Sequence, residues 1–317
     1  MTDVRKAEIT KNTKLRNSLL LVLTALIWGS SFVAQRQGGS IVGPFTFNCV
    51  RSIIGGIVLI PVIAAIDKVK PSPRKPQNAG DRKKLLIGGL CCGTMLFLAS
   101  TMQQLGMFMG TTAGKSGFLT ACYILIVPVL GIFFKRKCSW NIWIGIVITI
   151  GGLYLLCVKE SLSLAASDLV TLVCALLFAG HIMVIDYFSP LVDGVRLSCI
   201  QFFACGILGF FPMVFCEIIP DGMAAWTSTF ASSQAWIALL YSGVMSCGVA
   251  YTLQIIGQNG LNPTLASMIM SLESVFSVLT GWLILDEQLG GREIMGCVLI
   301  FAAILLAQVP VGKKIKS

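Results

Sequence analysis

The chain has 317 residues, of which 56% are hydrophobic and 12% are charged, and its formal net charge is +10. Soluble domains are about 45–50% apolar and about 25% charged, so this composition excludes an ordinary soluble protein and indicates an integral membrane protein. It also argues against nucleic acid as a partner, because the Lys and Arg residues stand in short runs between apolar segments and form no basic face.

A polar and basic segment at residues 1–17 is followed by ten apolar stretches, which we interpret as ten transmembrane helices. A helix needs about 20 apolar residues to cross a hydrocarbon core about 30 Å thick. In chain order the stretches are 18–36, 44–66, 84–108, 113–134, 140–158, 167–188, 195–216, 234–257, 263–285 and 291–309. The first stretch has no clear cleavage site, so we expect it to be retained as a helix.

The distribution of basic residues predicts the orientation. If the N-terminus is inside and ten spans follow, only Arg36, Lys159 and Arg292 of the 24 Lys and Arg residues lie on outer segments. Arg51 and Lys115 lie within spans or at their edge. Because cytoplasmic loops are enriched in Lys and Arg, we expect a multi-pass protein of the plasma membrane, most simply the bacterial cytoplasmic (inner) membrane, with both termini cytoplasmic.

The two halves of the chain resemble each other. When residues 99–156 are shifted by 151 positions, nine pairs are identical, among them Gln103 and Gln254, and the apolar stretches and breaks coincide. A repeat of five spans is odd, so the second copy enters the membrane from the opposite side. We therefore expect an all-α membrane protein with two inverted five-helix repeats, 18–158 and 159–309, between cytoplasmic tails at 1–17 and 310–317.

Several motifs resemble the drug/metabolite transporter superfamily, specifically its EamA-like ten-helix permeases. Trp28-Gly29-Ser30-Ser31-Phe32 is similar to that family's WGxxF opening, and Pro44-Phe45 with Arg51 is similar to its second helix. Residues 110–134 and 271–289 resemble its fourth and ninth helices. Ser274 replaces the usual Pro after Glu273, so the kink that the resemblance implies there stays open.

The resemblance implies a secondary transporter, or permease, that moves a small metabolite or drug-like solute by alternating access. We expect no enzyme activity, no cofactor and no metal; the partners are the solute, the lipid bilayer and, where transport is coupled, protons. The alternative is a membrane-embedded enzyme acting on a lipid-linked substrate, which would need clustered His, Asp or Glu residues. Substrate identity, direction, coupling ion and the choice between monomer and homodimer stay open.

Four titratable residues within the spans are candidates for function, since a charge at the bilayer centre costs about 2.5–3.5 kcal/mol and needs a cavity or a partner. Glu273 would hold a proton, meet a cationic substrate or pair with a buried donor. Arg51 would bind a substrate carboxylate or helix-end carbonyl groups. Lys115 would extend to the interface or line the outer vestibule, and His181 would be a packed residue or a proton relay.

A second set of candidates consists of polar and aromatic side chains that would line a solute cavity at the repeat interface. Gln103 and Gln254 occupy equivalent repeat positions, and their amides would bind solute or join helices. The other members of this set are Gln104, Trp28, Ser30, Ser31, Gln35, Tyr123 and Tyr251.

Overall fold

The computed structural model describes residues 11–69, 72–111, 113–133, 139–157, 165–285 and 290–309, and every regular element within these ranges is a helix. Nine helices there are long and apolar enough to cross a membrane, and a tenth apolar helix, 140–155, is shorter. The prediction of an all-α membrane protein with ten transmembrane helices is confirmed.

Five membrane helices form each half of the bundle. In the first half they are α1 (Lys11–Val42), α2 (Pro44–Val69), α3 (Ala79–Phe108), α4 (Ala113–Ala121 and Tyr123–Phe133) and α5 (Trp140–Cys157). In the second half they are α6 (Ala166–Phe188), α7 (Gly194–Met213, extended by Val214–Ile218 and Ile219–Asp221), α8 (Ser233–Leu240, Tyr241–Ala250 and Tyr251–Gln258), α9 (Pro263–Met270 and Leu272–Leu285) and α10 (Gly291–Gln308). Two short helices, Met223–Ser228 and Thr229–Ala231, connect α7 to α8.

Polar residues in the loops define where several helices begin. Asn78 accepts a hydrogen bond from the Asp81 backbone N–H (2.9 Å) at the start of α3, and Asp193 accepts one from the Arg196 N–H (2.9 Å) at the start of α7. Asn262 does the same at the start of α9. Such caps satisfy amide groups that the first helical turn leaves without partners.

The helix packing is that of an inverted repeat. Each helix crosses once, so α4 and α9, which are five crossings apart, run in opposite directions. In the bundle α1 packs against α8 and α9, as its counterpart α6 packs against α3 and α4. The pairs α2 with α7 and α5 with α10 each join a helix to its own counterpart. This pattern is the one that a two-fold axis in the membrane plane produces.

Two counterpart helices are interrupted at the same depth. Helix α4 breaks at Cys122, and α9 breaks at Ser271, where the Ser274 backbone N–H bonds the Ser271 carbonyl in a tight turn. The interruption at Ser271 therefore forms three residues before Ser274, without a proline. Helix α8 also contains a π-helical segment, Tyr241–Ala250, a distortion that is frequent at functional sites.

One glycine is required by the close packing of α1 against α9. A Cβ atom at Gly29 would lie 2.5 Å from the Glu273 carbonyl oxygen and 2.7 Å from Phe276 Cβ. The glycine of the Trp28-Gly29 motif therefore allows α1 to approach the backbone of α9 beside its interruption.

The membrane face at which α1 begins is called the N-terminal face, and the other is called the opposite face. Hydrogen bonds join α2 to α7 at both faces. On the opposite face, Glu217 at the end of α7 accepts hydrogen bonds from the Phe45 (2.8 Å) and Thr46 (2.7 Å) backbone N–H groups at the start of α2. On the N-terminal face, Asp67 at the end of α2 accepts bonds of 2.6 Å from Arg196 at the start of α7. Asp67 and Glu217 each lie near the end of one of these two counterpart helices, and each contacts the start of the other.

Candidate functional site

A polar cavity lies between the two halves, at the depth of the interruptions in α4 and α9. Its volume is about 30 Å³, room for roughly two water molecules. Both halves contribute to its wall, which consists of Trp28, Phe32, Gln35, Arg51, Gln103, Thr120, Tyr123, Phe178, Ser246, Tyr251 and Glu273. The centre of the protein is therefore almost closed in this conformation.

A larger groove, about 450 Å³, lies between α9 and α10 and is lined by apolar side chains such as Leu279, Phe301 and Leu305. Leu305 is 68% exposed, as expected of a lipid-facing position. The groove offers almost no polar side chain to a solute, so the smaller polar cavity is the candidate site.

Arg51 on α2 brings a buried guanidinium group to the cavity wall. Its Nη1 donates to Gln35 Oε1 (2.7 Å), and its Nε and Nη2 donate to Asn48 Oδ1 (3.2 and 3.0 Å). The opposite side of the group packs over the Phe47 ring, 5.5 Å from its centroid. Among the described residues, Arg51 forms no ion pair with a carboxylate.

The amides that contact Arg51 are themselves held in place. Asn48 Nδ2 donates to Thr101 Oγ1 on α3 (3.0 Å), and Gln35 Nε2 donates to Ser31 Oγ on α1 (3.2 Å). Arg51 is thus oriented by neutral partners on α1 and on its own helix α2, and Thr101 on α3 supports one of them.

Glu273 on α9 is the second ionisable group of the cavity and is buried. Tyr123 Oη on α4 donates a hydrogen bond to Glu273 Oε1 across 3.3 Å. Within the described part of the chain, Glu273 has no cationic partner. A carboxyl group in this position can exchange a proton or bind a cation that enters the cavity.

Aromatic rings form the apolar part of the wall. The Trp28 and Tyr251 ring centroids are 4.6 Å apart, and Phe202 packs on Tyr251 edge to face at 5.4 Å. Trp28 Nε1 is buried and has no hydrogen-bond partner among the described residues. The indole N–H is therefore a free donor beside the cavity.

The predicted glutamines separate into two groups. Gln35 and Gln103 line the cavity, where Gln103 Nε2 donates to Thr120 Oγ1 (3.1 Å). Gln104 lies behind the wall and donates to the Gln35 backbone carbonyl (3.0 Å). Gln254, the repeat counterpart of Gln103, is buried away from the cavity. Of these two repeat-related glutamines, Gln103 therefore contributes to the cavity wall and Gln254 does not.

Other predicted residues also lie outside the wall. Ser31 is buried and donates to the Trp28 carbonyl (2.9 Å), and Ser30 bonds Tyr241 Oη (2.6 Å). His181 is buried, with Nε2 3.1 Å from Gln201 Oε1 and its ring 6.0 Å from that of Tyr251. Lys115 falls in α4, but its side chain lies outside the described part of the structure.

Several wall and supporting residues were missed by the sequence analysis. Asn48 was recognisable in principle, since it lies one helical turn before Arg51. Phe32 belongs to the same motif as Trp28 and was not singled out as a wall residue. Thr120, Phe178 and Ser246 carry no such signal, because small or apolar residues are ordinary in transmembrane helices.

Comparison with known proteins identifies similar chains. The family model described as "EamA-like transporter family" matches residues 16–158 and 165–308. An "Uncharacterized transporter" of Archaeoglobus fulgidus is 28% identical over 304 residues, covering 94% of this chain and 87% of the relative. "Uncharacterized transporter YoaV" of Bacillus subtilis is 27% identical over 293 residues, covering 90% and 94%.

A protein of known crystal structure has the same fold. It superposes with a TM-score of 0.73 at 18% sequence identity, and the match covers 92% of this chain and 96% of the other. At this identity the likeness concerns the arrangement of helices.

Proposed function

Because the chain belongs to the EamA-like transporter family, and is thus a membrane transporter, we propose that it is a secondary transporter for a small metabolite or drug-like solute. Its two halves would expose one central cavity alternately to either side of the membrane. We further propose transport as its only activity.

The observation that carries this proposal is the cavity itself. It lies at the interruptions of two antiparallel counterpart helices, and both halves line it. Transporters built from inverted repeats bind solute near the midplane, at interrupted helices. A volume of about 30 Å³ is too small for a metabolite, so solute entry requires the helices around the cavity to separate, and we propose that they do so on one side at a time.

The packing suggests which helices move. Helices α2 and α7 are tied together on both faces by Glu217 and Asp67, and we propose that this pair stays fixed. The interrupted helices α4 and α9 are joined at cavity depth by the hydrogen bond from Tyr123 to Glu273, and the Ser274 hydroxyl also donates to the Gly117 carbonyl (3.4 Å). We propose that breaking this bond accompanies the opening of the cavity and that Glu273 carries the coupled proton.

The topology that we propose follows the basic residues. Both termini would be cytoplasmic, the tails would be 1–17 and 310–317, and the repeats would be 18–158 and 159–309. The N-terminal face is then the cytoplasmic face of a bacterial inner membrane. A chain with two repeats has both halves of the cavity, so a monomer suffices for transport.

The experiment that tests the proposal needs no knowledge of the solute. Thr120→Cys places a thiol on the cavity wall, and Thr149→Cys places one at a buried site on α5 outside that wall. Each variant is treated with a membrane-impermeant thiol reagent in right-side-out and in inside-out vesicles. Mass spectrometry locates the modified cysteine, so the native cysteines remain in place.

A carrier predicts modification of residue 120 from both sides and of residue 149 from neither. Modification of residue 120 from one side only, or from neither, would contradict alternating access.

A further inference from the structure

Two glutamine side chains, Gln104 on α3 and Gln258 on α8, each donate a hydrogen bond to a backbone carbonyl of another helix. Gln104 Nε2 donates to the Gln35 carbonyl on α1 (3.0 Å), and Gln258 Nε2 donates to the Ile182 carbonyl on α6 (2.9 Å). Both glutamine side chains are buried. In each half of the chain, the third helix is therefore bonded to the first helix by the same kind of contact.

The two bonds lie on different sides of the cavity. Gln104 is one helical turn before the end of α3 at the opposite face, directly after the wall residue Gln103. Gln258 is the last residue of α8 at the N-terminal face. Its partner Ile182 lies one helical turn beyond the wall residue Phe178 towards that face. Each membrane face thus has one of these bonds between itself and the cavity.

Each bond also joins two different pairs of closely packed helices. Gly257 of α8 packs against α1, where an added Cβ atom would lie 3.0 Å from the Asn17 carbonyl oxygen. Its repeat counterpart, Gly106 of α3, packs against α6, where an added Cβ atom would lie 3.1 Å from the Ser167 carbonyl oxygen. Small residues at such positions let helix backbones approach closely. Helix α1 with α8 and helix α3 with α6 therefore form two packed pairs, and both glutamine bonds connect one pair to the other.

Neither bond satisfies the whole amide group. The Oε1 atoms of Gln104 and Gln258 are buried and have no hydrogen-bond partner among the described residues. Closing a face therefore forms one hydrogen bond and removes one carbonyl oxygen from water, and these two effects are comparable in size and opposite in sign. The free-energy cost of breaking either bond is accordingly small, as a contact that opens and closes requires.

We propose that Gln104 and Gln258 are the gating residues of the two faces. The Gln104 bond closes the cavity towards the opposite face, the Gln258 bond closes it towards the N-terminal face, and both bonds are formed in this conformation. Opening towards one face breaks the bond on that face and keeps the other. This inference rests on the proposed function and names two side chains that control access to its cavity.

The test shortens each glutamine by one methylene group. In Gln104→Asn and Gln258→Asn the amide no longer reaches the carbonyl, so closing that face buries an unpaired N–H group and becomes less favourable. Each substitution is combined with Thr120→Cys, and the rate of modification by the impermeant thiol reagent is measured from both faces. The ratio of the opposite-face rate to the N-terminal-face rate should rise about fivefold in Gln104→Asn and fall about fivefold in Gln258→Asn.

Gly39→Ala tests the gate of the opposite face in a second way. Its added Cβ atom would collide with Gln104 Nε2, so it should shift the rate ratio in the same direction as Gln104→Asn. The matched controls Gln37→Asn and Gln77→Asn shorten exposed glutamines on α1 and before α3, and they should leave the ratio unchanged. If one of the gate variants does not fold, the variant at the other glutamine and Gly39→Ala decide.

Two results would overturn the proposal: a rate ratio that neither asparagine variant changes, or a change in the same direction in both. Thr120→Cys without a second substitution separates this proposal from the proposed function. Two-sided modification of residue 120, with unchanged ratios in the variants, would reject the gates and leave the carrier intact. One-sided modification in Thr120→Cys itself would reject the carrier.

Discussion

Tyr123 Oη donates a hydrogen bond to Glu273 Oε1 across 3.3 Å, which joins the interrupted helix α4 to its interrupted counterpart α9. The two residues come from opposite halves of the chain and meet on the wall of the central cavity. A change in protonation or occupancy of Glu273 would therefore act directly on the contact between the halves.

Tyr123→Phe tests the role of this bond. The substitution keeps the ring and removes the donor, so the closed cavity should be destabilised while the fold is retained. A hydrogen bond between neutral groups contributes about 0.5–1.5 kcal/mol, so the rate of proteoliposome uptake should change severalfold. Tyr154→Phe, which removes a hydroxyl from a 40% exposed ring on α5, is the control and should transport normally. Identical rates for both variants would show that the bond has no part in transport.

Glu273→Gln should separate solute movement from proton movement. The amide carries no exchangeable charge, so a pH gradient should no longer drive accumulation in proteoliposomes. The titratable groups that face Glu273 are Tyr123 on α4, Tyr251 on α8 and Cys174 on α6, and all three remain in the variant. Equal coupling in the variant and the wild type would remove Glu273 from the mechanism.

Gly29→Ala should destabilise the bundle. The new Cβ atom would meet the Glu273 carbonyl oxygen at 2.5 Å, too close for backbone atoms that cannot rotate away. Overpacking of this kind costs about 1–3 kcal/mol, which thermal unfolding in nanodiscs would detect as a lower Tm. Gly151→Ala is the matched control, because nothing lies within 4 Å of its added Cβ, and its Tm should be unchanged or slightly higher.

The two contacts between α2 and α7 predict a difference between Glu217 and Asp67. Glu217→Gln replaces an acceptor of two backbone N–H groups with an amide that also presents donors, so stability should fall by about 1–3 kcal/mol. Asp67→Asn removes the ion pairs with Arg196 and Lys75, which water reaches, and its effect on Tm should be smaller. A larger effect at Asp67 than at Glu217 would contradict the assignment of Glu217 as the main link.

The fold was predictable from the sequence because few backbone structures can cross a lipid bilayer. A backbone in hydrocarbon must satisfy its own amides, so ten apolar stretches of membrane length became ten helices. The charged residues of the cavity were also recognisable, since Glu273 and Arg51 stand out in apolar surroundings.

The details of the site depend on tertiary structure and were not predictable in the same way. No residue type at Cys122 or Ser271 requires a helix break, and the neighbours of Arg51 come from separate helices. Gln254 matches Gln103 in sequence, yet it lies outside the wall because the two halves do not line the cavity equally. The sequence repeat therefore predicted where the cavity lies, but it did not predict which side chains line it.

The central claim is that one cavity opens on one face while it closes on the other, and paired spin-label distances measure this directly. Leu15 with Tyr187 marks α1 and α6 on the N-terminal face, and Ser40 with Ala166 marks the same helices on the opposite face; all four positions are exposed. As pH is varied, the account predicts that one distance lengthens as the other shortens. Two distances that stay constant, or that lengthen together, would contradict it.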